Sequence, residues 1–118
     1  MILHITTQTE WETAVHIPYT SPSLQAEGFI HCSTPAQVLY PANEMFHGQT
    51  NLILLCIDPD LVTAEIIYED CYESGQEFPH IYGPLNRNAV TQIISFPSNL
   101  DGTFSLPVPL RSPQFPLA

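Results

Sequence analysis

Two short stretches hold the residue types that could do chemistry: GFIHCST, from Gly28 to Thr34, and EFPHIYGPL, from Glu77 to Leu85. Each sets a histidine among apolar neighbours. In an extended chain successive side chains alternate between faces, so Phe29, His31 and Ser33 share one side and Ile30 and Cys32 the other. His31 and Cys32 are thereby turned apart, a poor arrangement for a nucleophile and its base, and Cys32 reads as a small core residue. The His31 side continues to Thr34, where TPAQ supplies an N-cap hydroxyl, a first-turn proline and the Gln37 amide. A histidine, two hydroxyls and the free amides of a helix start would suit a phosphate, a carboxylate or a sugar hydroxyl. In the second stretch Pro79 favours an extended Phe78, and Gly83 before Pro84 marks a turn. Extended chain between them places His80 and Tyr82 on one side and Ile81 on the other. For both histidines a plainer reading stays open, a packed imidazole bonded to a main-chain carbonyl.

Other groups could join them. Glu69 and Glu77 are candidates for a general base or for holding ribose hydroxyls. His4 lies on the expected first strand, whereas His16 and His47 fall near helix ends. His4, His31 and His80 could in number make a zinc site, but no HxH or HxxxH pair anchors one, so no metal site is assigned.

The elements that must position these groups follow from pattern. ILHIT, from Ile2 to Thr6, alternates and reads as a strand. Thr7 and Glu10 have capping-box spacing at the start of a short helix that carries Trp11 and Val15 on one face. IPYTSPSLQAEG reads as a loop, GFIHCS as a strand, and the helix from Thr34 should reach Phe46 or His47 and stop at Gly48, kinked or broken by Pro41. NLILLCID is a buried strand, DPDL a turn or one helical turn, and AEIIYED another strand. CYESGQEFPHIYGPL reads as a structured loop, AVTQIISFP as a strand, and GTFSLP as a weaker strand paired through SNLDG. Strands around two early helices, with more strands after them, give an α+β domain over residues 1–107 and a proline-rich tail over 108–118 that wraps the surface or frays.

Composition narrows the partners. The chain has 118 residues and a formal charge of −10, with Arg87 and Arg111 as its only Lys or Arg residues. Phosphate backbones and anionic lipids are bound by clusters of cations, so nucleic-acid and membrane partners are not expected, while a small molecule or a basic protein is. No apolar run approaches the length of a membrane span, and the first residues show neither a basic leader nor a cleavage site. Cys32, Cys56 and Cys71 are odd in number and lack metal spacing, which fits reduced thiols in the cytoplasm.

GFIHCST, the aromatic–Glu pair of IIYED and EFPHIYGPL before an apolar strand together resemble the bacterial family known as domain of unknown function 952. The likeness runs from His4 to about Pro107. Its motif falls on Gly28, Phe29, Ile30, His31, Ser33 and Thr34, then on Glu69, and then on Phe78, Pro79, His80, Tyr82, Gly83 and Leu85. The resemblance implies a small soluble protein with no established activity. It also implies an ADP-ribosyltransferase-like fold: two small, mostly antiparallel sheets with a cleft between them and two or three short helices outside. By that likeness His4, and His31 with Ser33, would hold a nicotinamide ribose, Glu69 or Glu77 would orient a nucleophile, and NAD becomes a candidate cofactor.

The combined expectation is a site with His31, His80 and Glu69 as catalytic candidates and His4, Ser33, Thr34, Glu77 and Tyr82 as binding candidates. Its ligand would be a nucleotide, ADP-ribose or a sugar-like molecule. An anionic ligand would approach against the field of the chain. Two other classes stay in view, a non-enzymatic acidic interaction module and a metal-dependent hydrolase.

Overall fold

The run LILLCI is apolar at every position because both faces of the strand it forms are covered. In the computed structural model, which describes residues 1–13, 17–70 and 73–111, this is strand β3, Leu52–Ile57, and all six residues are buried. It is the centre of an antiparallel sheet, with β1 (Ile2–Thr7) on one side and β6 (Val90–Ser95) on the other. Ile53, Leu55 and Ile57 point into one core with Ile2, Tyr19, Ile30, Cys32, Ile81 and Leu85. Leu52, Leu54 and Cys56 point into a second core with Leu3, Val38, Ala42, Ile94, Phe96 and Phe104. Period-two alternation thus divides one strand between two cores.

The second sheet is also antiparallel and three-stranded, with order β2 (Ile30–His31), β5 (Phe78–Tyr82), β4 (Glu65–Glu69). It packs on the first core through Ile30 and Ile81. Backbone bonds between Leu3 and Ser33 stitch β1 of the first sheet to the end of β2, at 2.7 and 2.8 Å. Three short helices complete the α+β arrangement among the described residues: α1 (Gln8–Glu12), α2 (Pro22–Glu27) and α3 (Leu39–Met45). None is long and apolar enough to cross a membrane.

Several expectations are met in place. Thr7 caps α1, its hydroxyl accepting from the Glu10 amide at 3.0 Å, and DPDL contains a single 3-10 turn, Pro59–Leu61. Ile30 and Cys32 face the core while His31 faces away.

Other expectations need correction. The segment expected as a loop after Pro18 contains α2, with Pro22 at its first position and Gly28 closing it at φ 92°, a left-handed conformation open to glycine. The segment expected as a loop before Gly83 contains β5, the middle strand of its sheet. Pro79 is tolerated there because β2 has already ended, and its carbonyl accepts from Cys32 N–H at 3.0 Å. Residues 34–38 form a turn, and α3 starts at Leu39. Pro41 neither kinks nor breaks that helix, since it sits in the first turn, where amides have no intrahelical acceptor to lose. GTFSLP forms no strand. Asn99 and Thr103 close a tight turn instead, and Phe104 is held by stacking on Phe96 at 4.8 Å. Val108–Leu110 is a 3-10 turn. The placements expected for Val15, His16, Cys71 and the last residues, 112–118, lie outside the described residues.

Candidate functional site

Antiparallel pairing of β2 with β5 sets His31 directly opposite His80. Cross-strand neighbours on one face approach closely, and the two imidazoles meet edge to face with centroids 5.3 Å apart. Phe29, two residues before His31 and on the same side, stacks on His80 at 4.2 Å and touches His31 and Tyr82 at 4.8 and 5.3 Å. His80 is fully buried beneath it. Glu69 on β4 accepts the His80 Nδ1 hydrogen at 2.8 Å, and the same oxygen, Oε2, accepts from the Tyr82 hydroxyl. Those donors, Tyr82 first and His80 second, hold the Glu69 carboxyl below its usual range. Burial pushes His80 down, against the pull of Glu69. The result is a neutral imidazole oriented by a carboxylate through Nδ1. His31, partly exposed, donates from Nε2 to Glu27 at 2.8 Å.

A cavity of about 270 Å³ opens on the other side of His31, between β1, the start of α2, and α3. His4, Thr6, Glu10, Tyr19, His31 and Ser33 line it, with Pro41, Met45 and Phe46 as apolar wall. His4 and Thr6 share one face of β1 and are both buried. His4 Nδ1 donates to the His31 carbonyl at 2.6 Å, and its Nε2 lies 2.9 Å from the Tyr19 hydroxyl. That hydroxyl is 3.0 Å from Thr6 Oγ1, which donates to Glu10 Oε1 at 3.0 Å. Desolvation dominates here: it lowers the His4 pKa to about 4 and raises the Tyr19 pKa to about 12. It also pushes the Cys32 thiol up, so that thiol stays protonated and unreactive.

Of the residues expected to form a site, His4, His31 and Ser33 line the cavity, and His80, Glu69 and Tyr82 gather beside it. His31 belongs to both groups. Thr34 does not offer a free amide to an anion, because its N–H donates to the Gln37 side-chain oxygen at 3.1 Å and the helix begins further along. Glu77 is exposed, and its main-chain carbonyl accepts from Gln37 Nε2 at 2.7 Å. Among the described residues no three His, Cys, Asp or Glu side chains gather as a metal site. Sequence reasoning missed Thr6, Glu10 and Tyr19 as lining residues. Thr6 was within reach, two residues from His4 on an alternating strand. Tyr19 was not, since it is placed by a long-range backbone pairing with Leu85.

The family model described as protein of unknown function (DUF952) matches residues 5–93. The crystal structure of protein CC0527 from Caulobacter crescentus is similar, with 31% sequence identity and a TM-score of 0.83 over 94% of this chain and 98% of that one. A double mutant of the same protein gives the same values. Its solution NMR structure matches at TM-score 0.66 over 89% and 91% of the two chains. No curated protein matches.

Proposed function

On the premise that the chain belongs to the DUF952 family of proteins of unknown function, we propose that it binds a small hydroxylated molecule in the cavity beside His31. The observation that carries this reading is the position of His31. His31 lines the cavity, and its imidazole stands 5.3 Å from the buried His80 ring, which Glu69 orients. His4 and Ser33 supply further polar groups to the cavity wall. In this reading the two sheets and the cavity correspond to an ADP-ribosyltransferase-like fold. The ribose and nicotinamide of NAD are then candidate ligands, with His31, His80 and Glu69 as the transfer residues.

Charge selects among such ligands. Arg87 Nε, Nη1 and Nη2 donate to the carbonyls of Ile17, Trp11 and Thr13, and Arg111 Nε donates to the Leu106 carbonyl. Both cationic side chains of the sequence are therefore committed to the main chain, and a pyrophosphate would have to enter without them. Neutral ligands, a nucleoside or a sugar, fit better than ADP-ribose. Thermal-shift titration with ribose, adenosine, nicotinamide, NAD and ADP-ribose tests this. Adenosine or ribose should raise the midpoint more than ADP-ribose does, and His31→Ala should abolish the shift. No shift with any of the five, or a shift that His31→Ala leaves intact, would sink the proposal.

One observation favours the acidic interaction module as a second reading. Edge strand β4 exposes Ile67 and Tyr68 between Glu65 and Glu69, and an edge with that charge suits an added strand from a basic partner. Such binding should weaken with salt and survive the double substitution His31→Ala, His80→Ala. Salt-independent binding would count against it.

A further inference from the structure

The hydrogen-bond chain along the cavity wall is short of one hydrogen. It has three links: His4 Nε2 to the Tyr19 hydroxyl, 2.9 Å; that hydroxyl to Thr6 Oγ1, 3.0 Å; and Thr6 Oγ1 to Glu10 Oε1, 3.0 Å. Each link needs one hydrogen. The phenol and the threonine hydroxyl supply one apiece. The His4 Nδ1 hydrogen is already engaged by the His31 carbonyl, which can only accept. With a neutral imidazole and an ionised carboxylate, three links share two hydrogens. One added proton completes the chain, and it can enter at either end. On His4, the order runs Nε2–H to Tyr19, Tyr19 to Thr6 and Thr6 to the Glu10 carboxylate. On Glu10, the same three links run in reverse and end on Nε2. Passing from one order to the other breaks an N–H bond and forms an O–H bond, while each hydroxyl gives up one hydrogen and gains another. No electrons are exchanged and no further reactant is needed.

We infer that His4, Tyr19, Thr6 and Glu10 form a proton relay that carries one proton between the exposed Glu10 carboxylate and the buried His4 imidazole along the wall of the cavity. All four residues line that cavity, and Glu10 is exposed while His4 and Thr6 are buried. The relay links the buried imidazole to the exposed Glu10 carboxylate with no opening of the fold. It equips the cavity for proton transfer with a ligand hydroxyl or amine, because a donor on the ligand can supply the hydrogen that the chain lacks. The groups that face His4 are the His31 imidazole on β2, Glu10 on α1 and the Tyr19 phenol, and those that face Tyr19 in turn include the Cys32 thiol after β2 and Arg87. The relay belongs to the chain without any ligand. Its failure would leave the binding proposal standing, and failure of that proposal would leave the relay.

The test is a pH titration of the ligand-free protein followed by NMR at the His4 ring nitrogens and the Glu10 side-chain carboxyl carbon. In the wild type the two reporters should trace the same midpoints, as sites that share a proton do. Thr6→Val keeps the shape and removes the link, and should separate the midpoints by about one pH unit or more. Thr6→Ser should restore the common curve. Tyr19→Phe breaks the chain at a second point and should act like Thr6→Val, which keeps the test decisive should the valine variant fold poorly. Independent curves in the wild type, or a common curve that persists in Tyr19→Phe, would overturn the relay.

Discussion

Acidification from pH 6.5 to about 4 should remove about 3 kcal/mol of folding stability through His4 alone. The imidazole is buried, and desolvation lowers its pKa from 6.5 to about 4. An unfolded chain takes up a proton on this residue as the pH falls through 6.5, whereas the folded chain waits until about 4. Between those values the unfolded state holds more protons, so stability declines as pH falls, and it levels off below the lower value. His80, lowered by burial, acts in the same direction, and a difference measurement is needed to isolate His4. Urea unfolding of the wild type and His4→Gln at pH 7, 5.5 and 4 provides one. The wild type should lose the His4 share over this range and the glutamine variant should not. Equal pH dependence of the two proteins would show that His4 does not carry it.

Replacing Arg87 with lysine should destabilise the fold by about 2–3 kcal/mol, although the charge is kept. The guanidinium donates from three nitrogens to three carbonyls, at 2.8, 2.8 and 3.0 Å, and lies 4.4 Å from the centre of the Trp11 ring. Trp11 in turn leans on Tyr19 with ring centroids 5.6 Å apart. A planar fork can hold carbonyls as far apart in sequence as Trp11 and Ile17, while an ammonium on a flexible stem cannot reach all of them together. The loss is read as a lower urea midpoint with an unchanged slope. A change under about 0.5 kcal/mol, the range of an ordinary surface substitution, would mean that the fork is dispensable. Because Arg87 ties the ground beneath Tyr19, Arg87→Lys is also expected to loosen one wall of the cavity.

Local chemistry made part of this architecture legible in advance. Six apolar residues in a row with no amphipathic period can only be a strand covered on both sides or a buried helix, and the length of LILLCI favours the strand. Alternation through GFIHCS correctly parts His31 from Cys32, and the same rule applied to FPHIY places His80 with Tyr82. Elsewhere local signals compete. Six residues between Ser21 and Gly28 carry too little apolar period to announce α2, although Pro22 and Gly28 are its start and stop signals. Pro79 argues against a central strand, yet the neighbouring strand is so short that the missing donor matters little. Thr34 has the look of a helix cap, and Gln37 does reach back to its amide, but the chain makes a turn before it commits to helix. The meeting of His31 with His80 depends on pairing across nearly fifty residues, and the burial of Tyr19 on a bridge to Leu85. Only tertiary structure supplies such neighbours.

The division of β3 between two cores bears on how the protein is born. Its partners are β1, some fifty residues earlier, and β6, some forty later. A nascent chain leaving the ribosome can pair β1 with β3 yet leave one rim of β3 bare until β6 emerges, so the greasiest segment spends part of synthesis half-dressed. Distant pairing of this kind is slow and exposes sticky edges while it waits.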